Sequence, residues 1–213
     1  ATAADTNTTA SYIDIAEHVV YHKVTDFMRD SASNVLGQLG DQAGRAIAES
    51  IDSDAFALFT AFDEVGPGAG ATLKVESILR GAAVLRSRKL TGPFFAIVNP
   101  LQAYALKKEL ASNGGNNIPN LSNIGNQVLQ AGYLGVVGGV YVFESGLIPI
   151  NGNADSTGAI VSSMALGHAM RGGVTLETQR QAKGRATDLV LTAVAGSSVI
   201  RQSYGLKLTS DAS

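Results

Sequence analysis

The chain has 213 residues, 45% of them apolar and 16% charged, with a formal net charge of −2 and no cysteine. That length buries a real core in one domain or two small ones, and the charge gives no electrostatic reason to expect direct binding to nucleic acid or a membrane surface. The missing cysteine excludes disulfides, thiolate nucleophiles and cysteine-ligated metals.

Residues 1–11 are small and polar and read as irregular or extended; they lack the basic and apolar blocks of a signal peptide. No apolar run reaches the ~18 residues of a membrane helix. From Tyr12 to Phe27, Ile13, Ile15, Val19, Val20, Val24 and Phe27 are interspersed with Asp14, Glu17 and Lys23. Alternation and β-branched content predict a strand. Asp26–Asp30 then leads into a long helical stretch, Ser31–Phe62. Its apolar residues (Leu36, Leu39, Ala43, Ile47, Ile51, Ala55, Leu58, Phe59, Phe62) recur at steps of three and four and share one helix face. Gln38, Asp41, Arg45, Glu49 and Asp52 occupy the other face, and Ser31 or Ser33 can cap the start. At 1.5 Å per residue the stretch spans roughly 45 Å, far beyond the globular average of about 11–12 residues. The polar face excludes a membrane span. Gly37, Gly40 and Gly44 argue against a regular coiled coil, which leaves a strut against which sheets pack.

After the loop Asp63–Ala71, Thr72 is placed to cap a second helix ending near Ser87, with Val75, Ile78, Leu79, Ala82 and Leu85 as its apolar face. Arg86, Arg88 and Lys89 suit the negative end of its dipole. Phe94–Val98 is a short continuous apolar run, the mark of a strand buried on both faces. Asn99-Pro100 supplies an N-cap and first helical residue for a helix to about Ala111, expected to pack through Leu101, Tyr104, Ala105 and Leu110. Residues 112–120 read as a loop and Asn123–Gln130 as a short helix ended by Gly132. Gly135–Ser145 reads as strand, turn and strand, and Ala159–Gly172 as a short strand followed by a helical turn. Val174–Gln179, Asp188–Ala195 and Val199–Thr209 read as strands, with turns at Lys183-Gly184 and Gly196–Ser198. No repeat is visible, and the order of elements predicts an α+β fold.

Candidate chemistry is sparse. His18 and His22 lie four apart, a spacing open to two metal ligands, but Val19-Val20-Tyr21 stands where a zincin has its glutamate. In a strand the two share a face without any metal, so they read as surface or interface histidines. His168, in a small-residue segment taken as helical, reads as structural. Gly66-Pro-Gly-Ala-Gly70 lacks the order of a dinucleotide fingerprint, follows a helix rather than a strand, and has no P-loop lysine; it reads as a turn. No G-x-S-x-G elbow occurs. Asp52 and Asp54 point to different helix faces and read as solvated or salt-bridged. Gly40 and Gly44, between charged neighbours, read as a place for close backbone packing. Arg86–Lys89 reads as a solvated helix end or a contact for acidic residues of a neighbouring subunit. No catalytic, cofactor-binding or metal residue is assigned.

Four segments in order resemble the major capsid proteins of tailed bacteriophages, the Hong Kong 97-type fold. They are IAEHVVYHKVTDFMRDSA with the helix ending in IDSDAFALF, then FFAIVNPLQAYALKKEL, QVLQAGYLGVVGGVYVFESGLIP, and VTLETQRQAKGRATDLVLTAVAGSSVIRQSYGLKL. The resemblance covers about Ile13–Leu208. It implies a long spine helix at 31–62, a peripheral domain at 13–64 and 173–195, and an axial domain at 65–172 and 196–213. It further implies a non-enzymatic subunit without cofactor that forms hexamers and pentamers of an icosahedral virion shell. That shell encloses double-stranded DNA without sequence-specific binding or a membrane, and works with scaffold, portal and decoration proteins. Family members carry an N-terminal arm and an extended two-stranded loop ahead of the segment matching Ile13. Only a dozen residues stand there in this sequence, so those elements are expected to lie outside it, with 1–12 the loop's descending arm. Two alternatives remain: an encapsulin-like compartment shell, which shares the fold, and a small-molecule α/β enzyme built on the glycine loop at Gly66.

Overall fold

A computed structural model describes residues 11–31, 34–113 and 133–213. The expected descending arm at 1–12 lies almost wholly outside the described residues, as do the short helix Asn123–Gln130 and most of the loop 112–120. Ser33, offered as a cap, and the side chain of Leu110 lie outside them too.

The first strand, β1 (Ala16–Thr25), buries alternate residues: His18, Val20, His22 and Val24 turn inward while Val19, Tyr21 and Lys23 face solvent. It pairs antiparallel with β8 (Ala186–Val199), from Ala16 opposite Ala195 to Thr25 opposite Ala186, and β8 pairs with β7 (Leu166–Gln181). This three-stranded sheet has the order β1-β8-β7. The spine helix α2 (Val35–Ala57) lies against β1 and β8 and buries Ala43 and Ile47. Its apolar stripe was legible from Leu39 to Ala55, although Leu36, also assigned to it, is 48% exposed; its ends were not legible. The expected single helix from Ser31 to Phe62 is three pieces: α1 (Asp26–Ser31), α2, and a tight 3-10 turn at Leu58–Ala61. Asn34 interrupts the start with φ 65, a left-handed conformation that a right-handed helix cannot continue through. Ser31 ends α1 instead of capping α2, and its hydroxyl donates back to the Phe27 carbonyl. At the other end the 3-10 turn swings Phe59 and Phe62 into a second core, where both are buried.

That core belongs to a six-stranded sheet of order β2-β9-β6-β3-β5-β4. Its members are β2 (Asp63–Glu64), β9 (Gly205–Asp211), β6 (Asp155–Ser162), β3 (Phe94–Val98), β5 (Val140–Glu144) and β4 (Tyr133–Val137). The apolar run of β3 sits centrally, as its composition predicts, antiparallel to β6 and parallel to β5. Gly138 (φ 59) and Gly139 (φ 84) make the two-residue turn between β4 and β5, where both positions need positive φ. One face of the sheet carries α3 (Val75–Ser87) and α4 (Pro100–Asn113), with Ile78, Ala82, Leu85, Ala103 and Leu106 over Phe94, Ala96, Val98, Val142, Ile160 and Leu208. Gly81 permits the close approach of α3, because a Cβ there would collide with Ile160. The opposite face meets Phe59, Phe62 and Ile148 over Ala159 and Val161.

Five expectations need correction. Thr72 is no cap: it bridges to Asp211, and α3 starts at Val75 after Lys74 in extended conformation. Leu79, assigned to the apolar face of α3, is 46% exposed. The buried face of α4 is Gln102, Ala103 and Leu106, whereas Leu101 and Tyr104 are 43% and 62% exposed. The reason is the Gln102 amide, which supplies the buried hydrogen bonds that fix the helix's rotation. Its Nε2 donates to the Ser156 carbonyl (2.8 Å), the Leu208 carbonyl (3.4 Å) and Ser210 Oγ (2.7 Å), while its Oε1 accepts from the Asn99 N–H (3.0 Å). Finally, after one tight turn at Ser163–Ala165, closed by the Ala165 N–H on the Ser162 carbonyl at 2.9 Å, the small residues run on as a strand and not a helix, and Gly196–Ser198 is no turn. Leu166–Arg171 pairs with Val194–Val199, and Gly196 lets the Asp14 backbone cross close over β8.

Candidate assembly surfaces

The residues weighed for chemistry are structural in their contacts. His18 is held between β1 and α2: its Nδ1 lies 2.9 Å from Ser50 Oγ and its Nε2 3.8 Å from Asp54 Oδ2. A serine, a histidine and an aspartate thus meet, a grouping that sequence spacing did not reveal because Ser50 and Asp54 belong to a different element. The His18 side chain is only 9% exposed, so the trio acts as a polar clamp of helix to sheet. His22 faces the same way two pleat repeats further on, and among the described residues its buried Nε2 has no hydrogen-bond partner. The pair fills the helix–sheet seam. Among the described residues no three His, Asp or Glu side chains are placed to hold a metal ion. His168 stands on β7, not in a helix, and pairs across the sheet with Ser197 Oγ at 3.1 Å. Asp52 is exposed, while Asp54 takes its place beside His18.

The glycine loop resembles a phosphate cradle only in composition. Gly66 N–H donates to Glu64 Oε1 (2.9 Å), Gly68 N–H to the Thr209 carbonyl (3.1 Å) and Gly70 N–H to Asp155 Oδ1 (2.6 Å). A cradle needs those donors directed at a ligand; here they tie the loop to β9 and β6. The cleft beside it, about 490 Å3, opens to solvent between Pro67, Thr72, Lys74, Ser77 and Arg80. Among the described residues a Cβ at Gly40 or Gly44 would meet nothing within 4 Å, so the close packing expected of them is not made there.

The strongest polar group joins the base of α1 to the tip of the β7–β8 hairpin. Arg180 donates two hydrogen bonds of 2.7 Å to the Asp26 carboxylate, Arg185 Nε lies 3.9 Å away, and the Asp26 N–H donates to the Arg185 carbonyl at 2.8 Å. The Arg180 hydrogen bonds hold the Asp26 carboxyl below its ordinary value, and the carboxylate in turn raises Arg180. On the sheet face away from α2, the Tyr21 hydroxyl donates to Asp188 Oδ1 at 2.8 Å, which raises the Tyr21 pKa, and Gln181 donates to Asp188 Oδ2.

What remains is a set of apolar side chains that a lone subunit leaves in water. Ile15, Val19 and Tyr21 are 43–54% exposed on β1 and the chain before it, Leu176 is 60% exposed on β7, and Phe27 is 80% exposed at α1. Tyr141 and Phe143 flank Phe95 on the outer sheet face, with ring centroids 5.8 and 6.4 Å from it. Surfaces of this kind mark association, and no helix among the described residues is long and apolar enough to cross a membrane.

The same arrangement recurs in solved structures. A chain from Mycobacterium phage Che8 superposes with a TM-score of 0.69 at 18% identity, over 95% of this chain and 76% of that one. The capsid of cyanophage P-SCSP1u gives 0.68 at 15% identity, over 98% and 79%. The SrpI encapsulin from Synechococcus elongatus PCC 7942 gives 0.55 at 13% identity, over 92% and 73%. No curated protein matches the sequence. The fold is thus the α+β shell-subunit fold of the Hong Kong 97 type, a spine helix joined to two sheets. Residues 8–205 match the family described as phage capsid protein, and the chain belongs to that family. It is a structural major capsid protein of the virion shell, assembled from copies of itself.

Proposed function

We propose that the subunits form hexamers and pentamers closing into an icosahedral shell around packaged double-stranded DNA, with a structural role and no catalysis. Scaffold and portal proteins, and possible decoration proteins, are its expected partners. The observation that carries this reading is the family match over residues 8–205 together with the exposed apolar side chains on both sheets. Within the subunit, we assign residues 13–64 and 173–195 to a peripheral domain and 65–172 and 196–213 to an axial domain. Support comes from the two separate sheets, one backed by α2 and the other by α3 and α4.

An encapsulin-like compartment is the second reading, favoured by the likeness to the SrpI shell, though with a lower TM-score than the phage structures. An enzyme on the glycine loop has less support, since the N–H groups of Gly66, Gly68 and Gly70 are already spent on protein acceptors. Nuclease treatment of particles purified from a lysate separates the first two. Protected double-stranded DNA of uniform length is expected; particles holding a protein cargo and no DNA would establish the compartment instead.

A further inference from the structure

Two helices present outward faces of opposite charge. On α2, Asp41, Arg45 and Glu49 follow at four-residue spacing with Asp52 beside them; all are exposed, and none has an ion-pair partner among the described residues. That face is net negative. Arg80 on α3 and Lys74, the residue before its start, line the open cleft of about 490 Å3 together with Ser77. Glu76 stands on the same rim, yet among the described residues neither it nor Lys74 nor Arg80 has an ion-pair partner. Two cations against one carboxylate leave this rim net positive.

The two faces do not satisfy each other within the chain. The helix α3 covers one face of the six-stranded sheet, while α2 is joined through Phe59 and Phe62 to the opposite face. Complementary patches on different parts of one subunit are met by a second copy, in a head-to-tail contact that closes into a ring when the rotation allows. We infer that the acidic face of α2 docks against α3 of a neighbouring copy, with Glu49 and Asp52 entering the cleft between Lys74 and Arg80. Ser77 lines the same cleft and offers a hydroxyl donor to the entering carboxylates. This inference rests on the shell reading above and specifies which surfaces make the ring.

The test uses the full chain under conditions where the wild type forms particles. Reversing one side, by Arg80→Glu or by Glu49→Lys with Asp52→Lys, is expected to cut particle yield about tenfold, and combining the reversals to restore it. Circular dichroism of each subunit identifies variants that fail to fold. Independently of folding defects, Ser77→Cys with Ser53→Cys in this cysteine-free chain places thiols on the two surfaces. Oxidised particles should then give a denaturing-gel ladder rising from dimers to pentamers and hexamers. Dimers alone, no ladder, or undiminished assembly of a folded Arg80→Glu variant would overturn the docking while leaving the shell reading intact. Failure of the wild type to form any particle would overturn both.

Discussion

At the hairpin tip, Asp26 and Arg180 show how a single side-chain pair reaches across 154 positions of sequence. The folded chain holds the Asp26 carboxyl below its ordinary value of 3.8, chiefly through the Arg180 hydrogen bonds. A value lowered on folding means that the ionised form is favoured by the fold. Its contribution is therefore complete above the ordinary carboxylate value and is lost as pH falls through the lowered one. In unassembled subunits, the difference in unfolding midpoint between wild type and Asp26→Asn should be constant from about pH 7 to about pH 5. It should then shrink below about pH 4; a difference unchanged down to about pH 2 would contradict the pairing. Local chemistry at this scale was legible where the partners are sequence neighbours. Asn99-Pro100 announced a helix start, and the Asn99 side chain does accept the Leu101 N–H at 3.0 Å. Gln102 was not legible, because a glutamine in a helix reads as a solvent-facing residue until the carbonyls of β6 and β9 are known to surround it. The Ser50–His18–Asp54 clamp was hidden for the same reason.

Among the elements, α2 links the two sheets, since its inner stripe covers one and the 3-10 turn that follows it enters the core of the other. Ile47 is 2% exposed in the middle of that stripe. Replacing it with aspartate puts an unpaired charge against the sheet, and a loss of about 3–5 kcal/mol or more is expected. The variant should yield neither a cooperative unfolding transition nor particles; normal yields would refute the assigned face. Periodicity located this face but could not locate the helix ends. The left-handed Asn34 and the switch to a 3-10 turn at Leu58 are backbone choices made by distant packing. The same competition decided β7, where small residues read as a helical turn are drawn into a strand by the fourteen-residue edge of β8.

For the whole molecule, the order of elements was enough to suggest a shell subunit, because a long amphipathic strut, a buried central strand and a strand-rich end recur together in that family. Sheet order was not available from the sequence: β9 returns to pair with β6 and β2, and β1 finds β8 across the whole chain. Such pairings are set by long-range contacts that periodicity does not encode. The subunit that results leaves apolar side chains exposed on both sheets and, among the described residues, charges without ion-pair partners on α2 and α3, a surface suited to completion by neighbours. Stability in isolation is therefore only part of its energetics, and assembly should raise the thermal midpoint in a concentration-dependent way. Electron microscopy of the purified full chain across a range of concentration and ionic strength tests this most directly. The account predicts closed shells of uniform diameter built from rings of five and six; a chain that stays monomeric under every condition would contradict it.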